Sequence, residues 1–317
     1  MCAKPRPSKT FGGRFTTPLR YPGGKGRLGP WIAEVMRYNR ISGGWYIEPY
    51  AGGAGTALFL LTQGYVDHIV INDADPIVYA FWRAATERNA DLLKMIRESP
   101  ATMDTWLRQR EVIAAPGKHN LVEVAFATFF LNRTNRSGIL SAGVIGGKAQ
   151  SGIYKLNARY NVAELIDRIK TIGVYSSRMT VLGIDALDLL TDVAPGFPKE
   201  CMVYLDPPYY VKGSQLYRNH YAHEDHAAIA ERVEEAKFPL IVTYDDCPAV
   251  RQLYGSFEAT NFELHYSTHS ARPLTSEVLF YKNLELPFEP VMTRATHLTQ
   301  HARTNGAMAS QKVLSAW

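Results

Sequence analysis

The alternation of apolar runs between Trp45 and Phe81 constrains the fold more than any other feature of this chain. A short apolar run at 45–47 is followed by a glycine turn and a helical pattern at 56–63. A second apolar run at 68–72 leads into a helix that begins near Pro76. Helices that connect successive strands favour parallel pairing of those strands. The region therefore predicts an α/β fold with a parallel sheet.

The same alternation returns in the second half of the chain. Helical patterns occur at 162–172 and 223–236, and strand patterns at 179–184, 202–205, 240–244 and 277–281. Between 89 and 161 the pattern is instead helical, at 91–98, 103–111 and 121–131, before a stretch rich in Gly, Ser and Asn. We therefore predict one sheet interrupted by one mostly helical insertion.

Composition excludes several classes of protein. The chain has 317 residues, 46% of them hydrophobic, which is enough for a substantial core. No apolar run is long enough for a membrane span, and the N-terminus lacks the apolar stretch of a signal peptide, so we expect a cytoplasmic protein. Its three cysteines are scattered and suggest neither disulfides nor zinc. The histidines at 220, 223 and 226 read as the polar start of a helix, so we predict no metal.

The formal charge of +5 is compatible with a polyanionic partner.

The run 202–209, MVYLDPPY, is the candidate catalytic segment. Its strand stops at Asp206, Pro207, Pro208 and Tyr209, and ligands bind at such strand ends in parallel sheets. Two prolines stiffen the loop and remove backbone donors. The Asp206 carboxylate and the Pro207 carbonyl would then offer two acceptors to an exocyclic amine, with Tyr209 as a flat face for its base. The alternative is a simple turn in which Asp206 is a cap and Tyr209 packs in the core.

A nucleoside cofactor is indicated by two further features. The run 47–56, IEPYAGGAGT, places a glycine turn between a strand and a helix, where a ligand can approach the backbone. It is neither a P-loop nor a regular GxGxxG motif. Asp73 ends the next strand, where a carboxylate can accept both hydroxyls of a ribose. The alternative role for Asp73 is the N-cap of the helix at Pro76.

Taken in order, these motifs resemble the Dam-like family of DNA adenine-N6 methyltransferases, from Pro18 to about Asn283. The run 20–25, RYPGGK, resembles the family's N-terminal cofactor motif, and Asp185 resembles the acid that approaches the cofactor adenine. The glycine turn is one residue longer than the shortest family pattern. The resemblance implies S-adenosylmethionine as cofactor, bound by Tyr21, Lys25, Glu48, Pro49, Tyr50, Gly52, Gly53, Gly55, Asp73, Asp185 and Asp206.

The resemblance also implies a domain organisation. A Rossmann-like seven-stranded methyltransferase sheet would form the catalytic domain from 18–88 and 162–286, and 89–161 would be an inserted target-recognition domain. Residues 1–17 would be a flexible basic arm and 287–317 a tail. We expect site-specific methylation of adenine N6 in duplex DNA, with the base flipped out of the helix. Candidate DNA contacts are Arg20, Asn132, Arg133, Asn135, Arg136, Lys148 and Arg272.

Three alternatives stay open at this stage. The amine-facing loop would also serve cytosine N4 in DNA or adenine N6 in RNA, and a DNA-binding protein without activity belongs to another class. Cytosine C5 chemistry is disfavoured because neither Cys201 nor Cys247 follows a proline. We further expect a monomer, associated with the nucleoid of a prokaryotic or phage-infected cell. A cognate restriction endonuclease would complete a restriction-modification pair.

Overall fold

A computed structural model of the chain describes residues 17–21, 23–211, 221–265 and 274–290. Seven strands form one sheet in the order β3-β2-β1-β4-β5-β7-β6. The strands are β1 (Trp45–Glu48), β2 (His68–Asn72), β3 (Met179–Leu182), β4 (Cys201–Leu205), β5 (Leu240–Asp245), β6 (Glu258–His265) and β7 (Leu274–Lys282). The first five are parallel, and β7 runs antiparallel to both β5 and β6. The predicted seven-stranded Rossmann-like sheet is confirmed.

Nine helices of six or more residues flank the sheet in the described part of the chain. They are α1 (Gly29–Tyr38), α2 (Gly55–Thr62), α3 (Pro76–Glu87), α4 (Asn89–Glu98), α5 (Met103–Ala114), α6 (Leu121–Thr134), α7 (Val162–Tyr175), α8 (His223–Glu235) and α9 (Pro248–Leu253). A helical turn at Ala186–Asp188 and a π-turn at Leu189–Val193 follow β3. None of the described helices is long and apolar enough to cross a membrane.

The two faces of the sheet bury separate hydrophobic cores because alternate residues of a strand point to opposite sides. In β4, Met202 and Tyr204 join the core that includes residues of α1–α7, whereas Val203 and Leu205 join the core beneath α8 and α9. The central strands are apolar on both faces, as expected for a parallel sheet covered by helices on each side.

The helices of 89–161 share the first of these cores. Phe126, Phe129 and Phe130 of α6 are buried together with Phe81 of α3, and the rings of Phe81 and Phe129 stack at 6.1 Å. α6 begins with a capping box in which the Asn120 side chain accepts from backbone N–H groups. The region is helical as predicted. Its helix α6 packs against α3 and its helix α4 against α7, and their buried residues belong to the same cluster as the residues of this face of the sheet.

Three of these nine helices and seven strands were not predicted. In α1 the buried residues Trp31, Ile32, Val35 and Met36 fall at helical spacing, so the signal was present in the sequence. α9 is too short for a clear period. β6 carries polar residues and pairs only with β7 at the edge of the sheet, which weakens its apolar pattern.

Candidate active site

The DPPY segment lies at the carboxyl end of β4, in the middle of the sheet. The Asp206 carboxylate forms an ion pair with the Lys25 ammonium at 2.8 Å through Oδ1. The Thr243 hydroxyl, on neighbouring β5, donates to the same oxygen at 2.8 Å. Both hydrogen bonds to Asp206 within the described residues therefore use Oδ1, and the carboxylate is partly exposed.

A second carboxylate lies behind this pair. Glu277 of β7 is fully buried, and its Oε2 lies 3.1 Å from Lys25 Nζ. The Tyr209 hydroxyl donates to Glu277 Oε1 at 2.8 Å. Burial alone would lower the pKa of Lys25, but the carboxylates of Asp206 and Glu277 outweigh it and hold that pKa well above its ordinary value. Lys25 is therefore a buried cation that fixes the DPPY loop.

Tyr209 packs more tightly than the sequence suggested. Its ring is buried, only 4% exposed. A Cβ atom on Gly23 would lie 2.4 Å from the Tyr209 hydroxyl, and Gly23 has φ +72°, so both space and conformation require glycine there. In this conformation Tyr209 does not offer an open face to a base, and stacking would require the ring to be uncovered.

Asp245, at the end of β5, holds the far side of the same loop. Its Oδ1 accepts from the backbone N–H of Tyr210 at 2.9 Å, and its Oδ2 accepts from that of Val211 at 3.0 Å. The loop is thus bound to three strands, β4, β5 and β7. Such anchoring keeps its acceptors in a fixed position.

The glycine turn after β1 is built by long-range hydrogen bonds. Asp73 Oδ2 accepts from Gly52 N–H at 2.9 Å, and Trp82 Nε1 donates to Gly52 O at 2.9 Å. A Cβ atom on Gly52 would lie 2.8 Å from the Tyr21 ring, so the aromatic ring covers the turn. Ala54 adopts φ 45°, a left-handed conformation rare for a residue with a side chain.

Asp73 is not the N-cap of α3. Its Oδ1 accepts from Asp75 N–H, and Asp75 is the residue that caps α3 by accepting from Ile77 N–H. Burial raises the pKa of Asp73 to about 7, against the opposing effect of the hydrogen bonds from Asp75 and Gly52. Asp73 therefore joins the glycine turn to the end of β2.

Asn72 is a residue that sequence reasoning missed. Its Nδ2 donates to Pro49 O at 2.9 Å and to Ile184 O at 3.0 Å, while its Oδ1 accepts from Ile184 N–H at 3.0 Å. The side chain thus ties together the chain leaving β1, β2 and β3. A buried amide at a strand end was the available signal, since such groups need partners.

The predicted cofactor residues cluster around these strand ends. Glu48 is buried at the end of β1, where burial raises its pKa to about 8 and its Oε1 accepts from Ala57 N–H at 3.1 Å. Asp185 is exposed after β3 and caps the following turn. The Tyr50 hydroxyl lies 3.2 Å from that of Tyr221, whose pKa burial raises to about 12, with added effect from Asp185 and Asp73. Tyr221 was not predicted from the sequence.

Two of the predicted DNA contacts are buried. The Asn132 amide donates to Arg20 O and Gly138 O and accepts from Arg20 N–H. The Asn135 amide donates to Ile139 O and Leu140 O and accepts from Trp106 Nε1 at 2.7 Å. Because burial and these bonds occupy both side chains, the structure does not support their prediction as readers of DNA. They instead hold the segment after α6 in place.

The arginines beside them form a basic cluster. Burial, with the positive charges of Arg20 and Arg168, lowers the pKa of Arg133. Burial and Arg159 likewise lower the pKa of Arg20. Glu164 offsets part of this charge through its ion pair with Arg168. Like charges held this close favour an anion as neighbour.

Arg136 and Lys148 are exposed on the loop that follows α6. Short antiparallel pairing between Asn135 and Val144 closes this loop. Gln150 fixes its far part, where the side chain donates to Ile145 O and Gly147 O. The predicted DNA contact Arg272 lies outside the described residues.

The fold and this arrangement of residues define a Rossmann-like methyltransferase. Its sheet is parallel except at β6 and β7, a glycine turn follows the first strand, and the DPPY loop, which begins with Asp206, follows the fourth. Residues 21–268 match the family model of the D12 class N6 adenine-specific DNA methyltransferases. The match covers well over half of the chain, so the protein belongs to this family. The prediction of a DNA adenine methyltransferase with S-adenosylmethionine as cofactor is thereby confirmed at the level of the family.

The chain is also similar to solved structures, at low identity. A putative RNA methyltransferase from Pyrococcus horikoshii shares 9% identity with a TM-score of 0.39, over 83% of this chain and 84% of that one. A putative S-adenosylmethionine-dependent methyltransferase from Streptococcus mutans shares 6% identity with a TM-score of 0.33, over 78% of this chain and 47% of that one. A protein from Legionella pneumophila shares 13% identity with a TM-score of 0.33, over 87% of this chain and 88% of that one. No curated protein sequence matches the chain.

Proposed function

We propose that the protein transfers a methyl group from S-adenosylmethionine to adenine N6 at specific sites in duplex DNA, with the target base flipped out of the helix. The observation that carries this proposal is the Asp206 carboxylate. Its Oδ1 is held by Lys25 and Thr243, while its Oδ2 accepts no hydrogen bond from the described residues. A fixed, partly exposed acceptor at the carboxyl edge of the sheet suits an amine with two N–H donors.

The chemistry requires positioning more than acid–base catalysis. The amino nitrogen of adenine is conjugated with its ring and is a weak nucleophile. Hydrogen bonds from this amine to Asp206 Oδ2 and to the Pro207 carbonyl would localise its lone pair toward the methyl donor. The N–CH3 bond would form as the S–CH3 bond of the sulfonium breaks, a neutral thioether would leave, and one amine proton would be lost through its acceptor, Asp206 Oδ2. Holding both reactants in line supplies up to about 7–11 kcal/mol in well-oriented systems.

The cofactor would occupy the strand ends joined by Asn72. S-adenosylmethionine supplies an electrophilic methyl group on a sulfonium. Its ribose would meet Asp73, its adenine would approach Asp185, and the glycine turn would allow the backbone close approach. The positive charges of the cofactor would favour the ionised form of the acids at this edge, Glu48 among them, against the burial that raises the pKa of Glu48 to about 8.

DNA would bind next to this edge, at the basic cluster of Arg20, Arg133, Arg159 and Arg168. Arg20 lies five positions before Lys25, so the cluster and the active site share one short segment. Crowded guanidinium groups favour phosphates, which they bind with paired hydrogen bonds. Arg136 and Lys148 extend the basic surface along the adjoining loop.

Labelled methyl transfer tests the proposal most directly. The purified protein is incubated with labelled S-adenosylmethionine and unmethylated duplex DNA, and the DNA is digested to nucleosides. Labelled N6-methyladenine at defined positions is the expected product. N4-methylcytosine, or labelling of RNA alone, would move the function to those substrates, and cofactor binding without any transfer would favour an inactive DNA-binding protein. Monomeric state, nucleoid location and a partner restriction endonuclease stay predictions of the sequence.

A further inference from the structure

Glu277 is the most deeply buried charged group of the site, and the mechanism above does not use it. Its side chain is 0% exposed, on the antiparallel strand β7. It reaches two members of the catalytic network, Lys25 at 3.1 Å and the Tyr209 hydroxyl at 2.8 Å. An ionised carboxylate at such depth costs several kcal/mol unless it is paired, so a role is required to explain it.

The charges of the network suggest that role. One cation, Lys25, lies between two carboxylates, Asp206 and Glu277, so its charge is shared between two ion pairs. Glu277 is fully enclosed, whereas the Asp206 side chain is 21% exposed. Because Lys25 also pairs with Glu277, it neutralises the outward-facing Asp206 carboxylate only in part.

The pairing of β5 with β7 links Glu277 to a second acid that holds the DPPY loop. Glu277 and Asp245 are directly paired across β7 and β5. Glu277 binds the Tyr209 side chain, and Asp245 binds the backbone of the next two residues. Two neighbouring carboxylates thus hold consecutive residues of one loop.

We propose that Glu277 is a positioning residue of the methyl-transfer site, which shares the charge of Lys25 and anchors Tyr209 so that Asp206 stays free to accept the target amine. The inference rests on the proposed function of Asp206. Without Glu277, Lys25 would act on Asp206 alone and weaken it as an acceptor. The loss would fall on the chemical step rather than on binding.

Glu277→Gln is the decisive variant because it keeps the shape and an acceptor for Tyr209 but removes the charge beside Lys25. We expect the single-turnover rate of methyl transfer to fall by about one to two orders of magnitude, since removal of a direct electrostatic contact costs about 10²–10³. The dissociation constants for cofactor and DNA should stay within about twofold of the wild type, because an interaction that acts only in the transition state contributes nothing to ground-state binding.

Glu258→Gln is the matched control. Glu258 lies on β6, in the same hairpin, and accepts from the Tyr281 hydroxyl at 2.7 Å, but it is exposed. Its replacement should change neither the rate nor either dissociation constant. A wild-type rate in Glu277→Gln would overturn the proposal, as would weakened binding with an unchanged rate of transfer.

A second comparison covers the case in which Glu277→Gln does not fold. In a Lys25→Met background the cation is absent, so adding Glu277→Gln removes a buried charge that has lost its ion pair with Lys25. The double variant should be more stable to denaturant than Lys25→Met alone, and any residual rate should change by less than about twofold. Equal effects of Glu277→Gln in both backgrounds would refute a role through Lys25.

The stability comparison also separates the two proposals. Coupling between positions 25 and 277 in the free energy of unfolding requires no turnover. If wild-type protein methylates no DNA but the coupling is present, the proposed function fails and the network stands. If DNA is methylated and the coupling is absent, the role of Glu277 fails alone.

Discussion

Replacement of Asp206 by Asn tests the centre of the site with little change in shape. In the wild-type structure the Thr243 hydroxyl lies 2.8 Å from Asp206 Oδ1. The Asn variant keeps a side-chain oxygen for this hydroxyl and removes the negative charge. Lys25 is not left alone, because Glu277 remains 3.1 Å from its ammonium. We therefore expect a stability loss of about 1–3 kcal/mol, below the 3–5 kcal/mol typical of an uncompensated buried charge.

The effect on catalysis should be much larger than the effect on folding. A neutral amide accepts more weakly than a carboxylate, and its NH2 group would face the N–H donors of the target amine. Loss of one such stabilising contact lowers rates by about 10²–10³, or about 2.7–4 kcal/mol in the barrier. Asp206→Ala, which removes the acceptor altogether, should abolish methylation while the fold remains intact.

Single-turnover methyl transfer at saturating cofactor and DNA is the appropriate assay, since it isolates the chemical step. Thermal unfolding and cofactor titration confirm that the variant is folded and loaded. Asp246→Asn is the matched control: this acid also follows a central strand, but it binds Arg251 at 2.6 Å rather than the catalytic lysine. A folded Asp206→Asn protein with a rate within about tenfold of wild type would refute the assigned role of the carboxylate.

Three further predictions concern the cofactor and DNA sites. Burial raises the pKa of Glu48 to about 8 from 4.5, so its contribution to stability is complete below pH 4.5 and is lost as the pH rises through about 8. Glu48→Gln should therefore raise the unfolding free energy at pH 9 but not at pH 4, with weaker cofactor binding; equal effects at both pH values would contradict this. Asn72→Ala should cost about 2–4 kcal/mol and weaken cofactor binding, because three backbone groups lose their partner; an unchanged melting temperature would argue against that role. Arg133→Gln should weaken DNA binding and reduce its salt slope by about one, whereas Arg83→Gln should not; unchanged affinity at several salt concentrations would remove Arg133 from the interface.

The sequence was sufficient for every strand of the sheet except β6, and for the ends of its parallel strands. Apolar runs that stop at Glu48, Asn72 and Asp206 mark the carboxyl edge of a parallel sheet, and local pattern alone encodes them. The predicted strands at 68–72 and 240–244 agree with β2 and β5 to within one residue. Motif order then led to the family that the chain belongs to.

Contacts between distant segments could not be predicted in the same way. Asn132 and Asn135 have the composition expected of a DNA-reading loop, but their amides are buried against Arg20 and Trp106. Whether a polar side chain faces DNA or satisfies backbone groups depends on what packs against it. The helical period of 89–161 likewise does not report which residues these helices pack against, and their shared core with α3 and α7 was visible only in the structure; an inserted target-recognition domain at 89–161 stays a prediction.

What the sequence by itself determined about this protein is the class of its chemistry: an acid, two prolines and an aromatic at a strand end, after a glycine turn and a second acid. What only the tertiary structure decided is how that acid is held. Lys25, Thr243 and Glu277 come from three separate parts of the chain. The pairing of β5 with β4 brings Thr243 to Asp206, and the antiparallel pairing of β7 with β5 brings Glu277 to Lys25. The physical reason is that strand patterns are local, whereas the pairing of buried charges depends on packing that brings distant residues within hydrogen-bond distance.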